Sequence, residues 1–228
     1  MKYPGILFLM LLFLQGSTMA QETVWKADFR GPLPGMPPEE WKCLWGTMGD
    51  DLVIISNVNT LSGRAMEIDR SGSNPGMWAY GTKTADVPDG TAIFHIPFRL
   101  EDGGVNAAFG IEIGTRKGRY LAIGFQKRHV RIFNSKWKLI ADLGTFQMKK
   151  WYRIVLRLPT RGSGSEKGCG RLEVFENGSF QQKERTVTFH LPVPSAPYGT
   201  FLFVVNPPRK DGRRFKVCFD RLELLHAP

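Results

Sequence analysis

The stretch Lys149–Leu158, KKWYRIVLRL, constrains the fold of this chain more than any other. Tyr152, Ile154, Leu156 and Leu158 alternate with Trp151, Arg153, Val155 and Arg157, the period of two expected of a β-strand with one face in a core. Thr91–Leu100 repeats the pattern, setting Ala92, Phe94, Ile96, Phe98 and Leu100 against Thr91, Ile93, His95, Pro97 and Arg99. Pro97 has no amide donor, which predicts a sheet edge or a bulge at that point. Val105–Ile113 alternates in the same way. These segments are divided by Gly, Pro, Asn and Asp, and nothing reads as a helix of three turns or as an internal repeat. The expectation is an all-β chain, a two-layer sandwich of antiparallel sheets.

Further strands are expected at Thr23–Phe29, Trp41–Met48, Asp51–Ser56 and Arg64–Asp69. Arg119–Phe125, Arg128–Phe133 and Lys138–Leu143, joined by turns at Gln126-Lys127 and Asn134–Trp137, read as a meander leading into Lys149–Leu158. Arg171–Glu176 and Phe180–Leu191 flank Asn177-Gly178, a strong hairpin signal, while Thr200–Val205 and Phe215–Leu225 close the sheets. The expected core includes Phe94, Phe98, Phe109, Ile111, Leu121, Ile123, Ile154, Leu156, Leu172 and Val174.

Lys2, the apolar run Ile6–Leu14 and the small residues up to Ala20 have the order of a secretory signal peptide, cleaved after Ala20. The run is well short of the roughly 20 apolar residues of a spanning helix. The expectation is therefore a signal peptide over 1–20 and one domain over 21–228, secreted, periplasmic or at the cell surface. Without residues 1–20 the chain keeps 30 Lys and Arg against 21 acids. That excess favours a polyanion outside the cell, an acidic or sulfated glycan before nucleic acid, although a solvated basic surface explains the same charges. The odd count of cysteines, Cys43, Cys169 and Cys218, permits one disulfide with a spare thiol or none.

Asp28-Phe29 with Trp41 downstream, the strand Trp151–Leu156 and the closing Phe219-Asp220-Arg221-Leu222-Glu223-Leu224 resemble the concanavalin A-like lectin/glucanase superfamily, in particular its laminin-G-like exported bacterial modules. The resemblance spans 23–226 and implies a jelly roll that binds or cuts glycans on one sheet face. It departs from the family's glucanases, which carry E-x-D-x-x-E on one strand. Glu67-Ile68-Asp69 is the nearest match here and lacks the second Glu, Gly72 standing in its place. A retaining carboxylate pair is thus not evident.

The polar face of the expected meander draws on Glu112, Arg119 or Tyr120, Gln126, His129, Arg131 and Arg153. Lyases on jelly rolls use such groups to neutralise a uronate and move protons, but Gln126 and His129 do not match the Q-x-H strand motif of alginate lyases. Exposed aromatics that could stack on a pyranose are Trp137, between Lys136 and Lys138, and Trp78 and Tyr80 after an irregular loop. The ligand-binding candidates are thus Arg131, Arg153, Trp137, Trp78, Tyr80, Glu112 and His129, with no catalytic residue assigned. A basic, solvated hairpin without a ligand is the preferred account of the charged residues among them. No metal-ligand spacing, P-loop, dinucleotide fingerprint or G-x-S-x-G is present, so no metal and no cofactor is expected. The expected partner is an anionic polysaccharide. Glycan binding stands first, a polysaccharide lyase or hydrolase second, and a structural or adhesive surface protein third.

Overall fold

A computed structural model describes residues 21–29, 41–45, 52–56, 60–69, 78–84, 86–103, 109–115, 117–126, 128–160, 168–176, 183–205 and 215–228. For some strand residues, among them Trp45, Trp78, Phe109 and Gln126, it describes the backbone alone. The expected signal peptide at 1–20 lies outside the described residues.

The described residues form sixteen strands and no helix. In chain order they are β1 (Glu22–Ala27), β2 (Lys42–Trp45), β3 (Leu52–Ser56), β4 (Arg64–Asp69), β5 (Trp78–Lys83), β6 (Thr91–Gly103), β7 (Phe109–Thr115) and β8 (Gly118–Gln126). Then follow β9 (His129–Asn134), β10 (Leu139–Thr145), β11 (Trp151–Pro159), β12 (Cys169–Glu176), β13 (Lys183–His190), β14 (Tyr198–Val205), β15 (Phe215–Phe219) and β16 (Leu222–Ala227). One antiparallel sheet of nine strands runs β13-β12-β11-β6-β15-β4-β3, with β16 also on β6 and β1 on β16. The other, of seven, runs β10-β9-β8-β7-β14-β5-β2. Together they make a jelly-roll sandwich.

Alternation along β6 and β11 decides what meets between the sheets. Phe94, Ile96, Phe98, Ile154 and Leu156 are buried there with Ile111, Leu121, Ile123, Leu172 and Val174, as the sequence predicts. Phe98 and Phe125 meet edge to face across the layers at 5.2 Å, and Phe203 and Phe219 approach to 4.7 Å. The outer face of the nine-stranded sheet holds a second, thinner apolar layer. There Ile93, Val155, Phe175 and Leu225 are shielded among the stems and heads of charged neighbours such as Arg153 and Arg157, as long basic side chains can do.

Four expectations are corrected. Pro97 sits in an interior strand, not at an edge. β6 pairs with β16 as far as His95 and with β15 from Phe98 onward, so Pro97 falls in the gap between these two partners. Its carbonyl accepts the Asp220 amide on that side, and its missing N–H faces the same gap. Phe215–Leu225 is two strands, broken at Asp220-Arg221. β5 was not foreseen. Finally, the meander β8-β9-β10 does not continue into β11, which crosses to the other sheet. The two sheets are pinned at that margin by Arg185 of β13, which donates to the Leu143 and Thr145 carbonyls of β10 and lies 4.3 Å from the Phe146 ring centre. No disulfide joins Cys43, Cys169 or Cys218 among the described residues.

Candidate functional site

Trp137 occupies the turn between β9 and β10 and is 43% exposed. Its φ of 60° is unusual for a bulky residue and is held by local bonds. Its amide donates to the Asn134 carbonyl at 3.0 Å, and the Asn134 side chain accepts from the amides of Lys136 and Lys138 at 2.9 and 3.0 Å. The indole consequently lies against the outer face of the seven-stranded sheet. The Arg119 guanidinium sits 4.5 Å from its ring centre, and Phe133 meets it at 5.7 Å. Arg119 is itself fixed, donating to Glu112 at 2.9 Å and to the Ser135 carbonyl at 2.6 and 3.2 Å. Glycine permits this close approach: a Cβ at Gly124 would fall 2.7 Å from the Phe133 ring.

Along β9 the same face carries Arg131 and His129. Asp142 of β10 accepts from Arg131 Nε at 2.9 Å and from the Gly144 amide at 2.7 Å, and its Oδ1 lies 3.2 Å from His129 Nδ1. Partial burial pushes the Asp142 carboxyl up, but Arg131, the Gly144 amide and His129 outweigh it and hold the group at about 2. The imidazole is thereby oriented with Nε2 as its other ring nitrogen to offer. Gln126 stands directly opposite His129 across the β8–β9 hairpin, so a pair that misses the spacing along one strand is brought together between two.

At the other side of Arg119 the face opens into a groove of about 560 Å³, walled by Lys83, Thr84, Asp86, Glu112, Thr115, Arg119 and Thr200. From β10 to β5 the face spans six strands, about 24 Å at the usual spacing of about 4.8 Å. The groove, the indole and the His129–Arg131–Asp142 cluster therefore form one continuous polar and aromatic strip.

The other candidates lie elsewhere. Arg153 projects from the outer face of the nine-stranded sheet, because β11 belongs there, and it cannot share a groove with Arg131. It neighbours His95, whose Nδ1 is 3.4 Å from Glu223. Burial, with Arg153 and then Arg157 adding to it, lowers the His95 pKa against the pull of Glu223. Tyr80 is buried in the core, its ring stacked on Trp41 at 5.6 Å, so it is no surface platform. Trp78 opens β5, and its side chain lies outside the described residues. Glu67 and Asp69, nearest to a glucanase pair, are on the nine-stranded sheet and both bind Lys216, at 3.0 and 2.8 Å. Among the described residues no His, Cys, Asp and Glu cluster could hold a metal, and no helix is long and apolar enough to cross a membrane. Sequence reasoning missed Asp142 and the groove residues Lys83, Thr84, Thr115 and Thr200. A strand reading of WAYGTK would have been needed to bring Lys83 and Thr84 to this face.

No protein-family model and no curated protein sequence matches the chain. Solved structures do match, and their likeness defines the class as a jelly-roll β-sandwich. A marine PL-14 alginate lyase from Aplysia kurodai is similar over 90% of this chain and 99% of its own, with 13% identity and a TM-score of 0.62. The catalytic domain of a glycoside hydrolase family 131 protein from Coprinopsis cinerea is similar over 91% and 95%, with 10% identity and a TM-score of 0.59. The carbohydrate recognition domain of Emp47p covers 93% and 97%, with 10% identity and a TM-score of 0.50. At these identities the likeness establishes the fold.

Proposed function

We propose that this protein is an exported glycan-binding β-sandwich, of the concanavalin A-like superfamily and its laminin-G-like modules, that takes an acidic or sulfated glycan on the outer face of its seven-stranded sheet. The observation that carries this reading is Trp137. A half-exposed indole, held with positive φ by Asn134 and braced by Arg119, is an expensive arrangement for a bare turn and a suitable one for stacking on a sugar ring. Solved sandwiches of the same architecture include proteins described as alginate lyase, glycoside hydrolase and carbohydrate recognition domain, which supports a sugar as the ligand. The net charge of +9 over residues 21–228, 30 Lys and Arg against 21 acids, supports an anionic one. Arg131 carries its charge on the same face, although Asp142 already accepts from its Nε.

A glycan array read at low and high salt tests this. Binding to uronate-containing or sulfated glycans that weakens as salt rises is the expected result, because exposed charges are screened over about 8–10 Å at ordinary ionic strength. Preference for neutral glucans regardless of salt would refute the charge argument. Binding to no glycan would favour a structural or adhesive role.

The His129–Asp142 pair favours a second reading, a polysaccharide lyase on the same face, since a carboxylate-oriented imidazole is suited to proton transfer. Ultraviolet absorbance from an unsaturated uronate product, lost in His129→Ala, would establish it.

A further inference from the structure

The groove beside Arg119 contains two groups that the packing around them does not use. Thr84 is only 9% exposed, lies on the groove wall, and its Oγ1 has no hydrogen-bond partner among the described residues. A buried hydroxyl in that state is uncommon and calls for an explanation, an unseen partner being a usual one. Lys83, next to it, is exposed, and no ion pair joins its ammonium to an acid among the described residues; Asp86, an acid on the same wall, is engaged in an interaction of its own. The other cation of the groove, Arg119, is committed to Glu112 and Ser135. Thr84 is at the same time fixed in place, its amide donating to the Gly199 carbonyl at 3.0 Å. Thr200 lines the groove with it, as does Thr115, whose hydroxyl donates to the Gly118 carbonyl at 3.3 Å and accepts from the Lys117 amide at 3.2 Å.

We propose that this groove is a subsite for a single acidic sugar unit, with Lys83 taking its carboxylate or sulfate and Thr84 hydrogen-bonding a ring hydroxyl beside it. This rests on the glycan reading and goes beyond it by assigning residues that specify charge. Lys is suited to the role because an ammonium is a compact point charge with three rotatable donors, able to serve either anion. Thr84 Oγ1 is sealed from solvent as it stands, so it meets the ligand only after a staggered step of χ1, which moves the hydroxyl and leaves the backbone bond to Gly199 intact. Thr84 and Thr200 contribute neutral donors and acceptors that fit hydroxyls rather than a second anion. Trp137, across Arg119, then holds the neighbouring ring of the same chain.

The test is a titration of the full chain with a uronate hexasaccharide and with its methyl-esterified, uncharged form. Wild type is expected to prefer the charged form about tenfold or more. Lys83→Met should cut that preference several-fold while leaving affinity for the ester within about twofold. Thr84→Val should weaken both forms several-fold, yet leave the melting temperature unchanged or raised, because it removes an unsatisfied polar atom. Trp137→Ala should weaken both forms without changing the preference. Retention of the wild-type preference in Lys83→Met, or of wild-type affinity in Thr84→Val, would overturn the subsite while a Trp137→Ala defect kept the glycan reading. No binding by wild type to either hexasaccharide would overturn both.

Discussion

Leu156 is wholly buried between the sheets, and it pairs across β11 with Phe94 on one side and Leu172 on the other. Leu156→Ala leaves a cavity that these neighbours cannot close, and urea unfolding should show a loss of about 2–5 kcal/mol. Asp142 makes a different kind of prediction. Its folded-state pKa of about 2 lies below the ordinary aspartate value, so the deprotonated form is favoured by the fold. The stabilisation is present above the unfolded value and is lost as pH falls through about 2. Carboxyl-carbon NMR should therefore give a midpoint near 2 for Asp142, rising toward the ordinary range in Arg131→Ala. A midpoint near 4 in the unaltered protein would mean that Arg131 does not hold the carboxylate in solution. Because the Asp142 side chain is one-third exposed, its share of total stability is small.

At the scale of elements, period-two alternation made β6 and β11 legible, together with the inward residues that now form the core. It could not show to which sheet a strand belongs. Arg131 and Arg153 each project outward from their own sheet, as their alternation requires, but a local pattern carries no record of the crossover between β10 and β11. The same limit explains why Arg153 was grouped with a face it does not share. β5 was illegible for another reason. Its sequence WAYGTK places Trp, Ala, Tyr and Gly in succession, and Gly81 is there because a Cβ would fall 2.4 Å from Leu202 of β14. A residue chosen for close approach weakens the propensity signal that marks a strand. Trp137 was legible because a tryptophan between two lysines in a turn has few places to hide.

The margin where β13 meets β10 has its own prediction. Arg185 bonds two carbonyls of β10 and covers the Phe146 ring, so it fastens the strand that supplies Asp142 to the opposite sheet. In Arg185→Met, amide exchange in β10 and the β9–β10 turn should quicken while β6 and β11 stay protected. Uniform acceleration through both sheets would show instead that the clasp supports the whole sandwich.

For the whole molecule, the sandwich offers two outer faces of different character. The nine-stranded face is a mesh of internal ion pairs, such as Arg171 and Arg157 on Glu173 and Arg221 on Glu223, lying over a thin apolar layer. Those charges are largely answered by one another. The seven-stranded face has an exposed indole, an open groove and a lysine without an acid partner among the described residues. A glycan should therefore choose between the two faces on the basis of which one has unspent donors and an aromatic surface. Side-chain NMR during titration with a uronate oligosaccharide tests that choice most directly. The account predicts that the Trp137 indole and Arg119 guanidinium signals shift with a common affinity while those of Arg153 and Arg157 stay in place. Shifts confined to Arg153, Arg157 and His95 would contradict it.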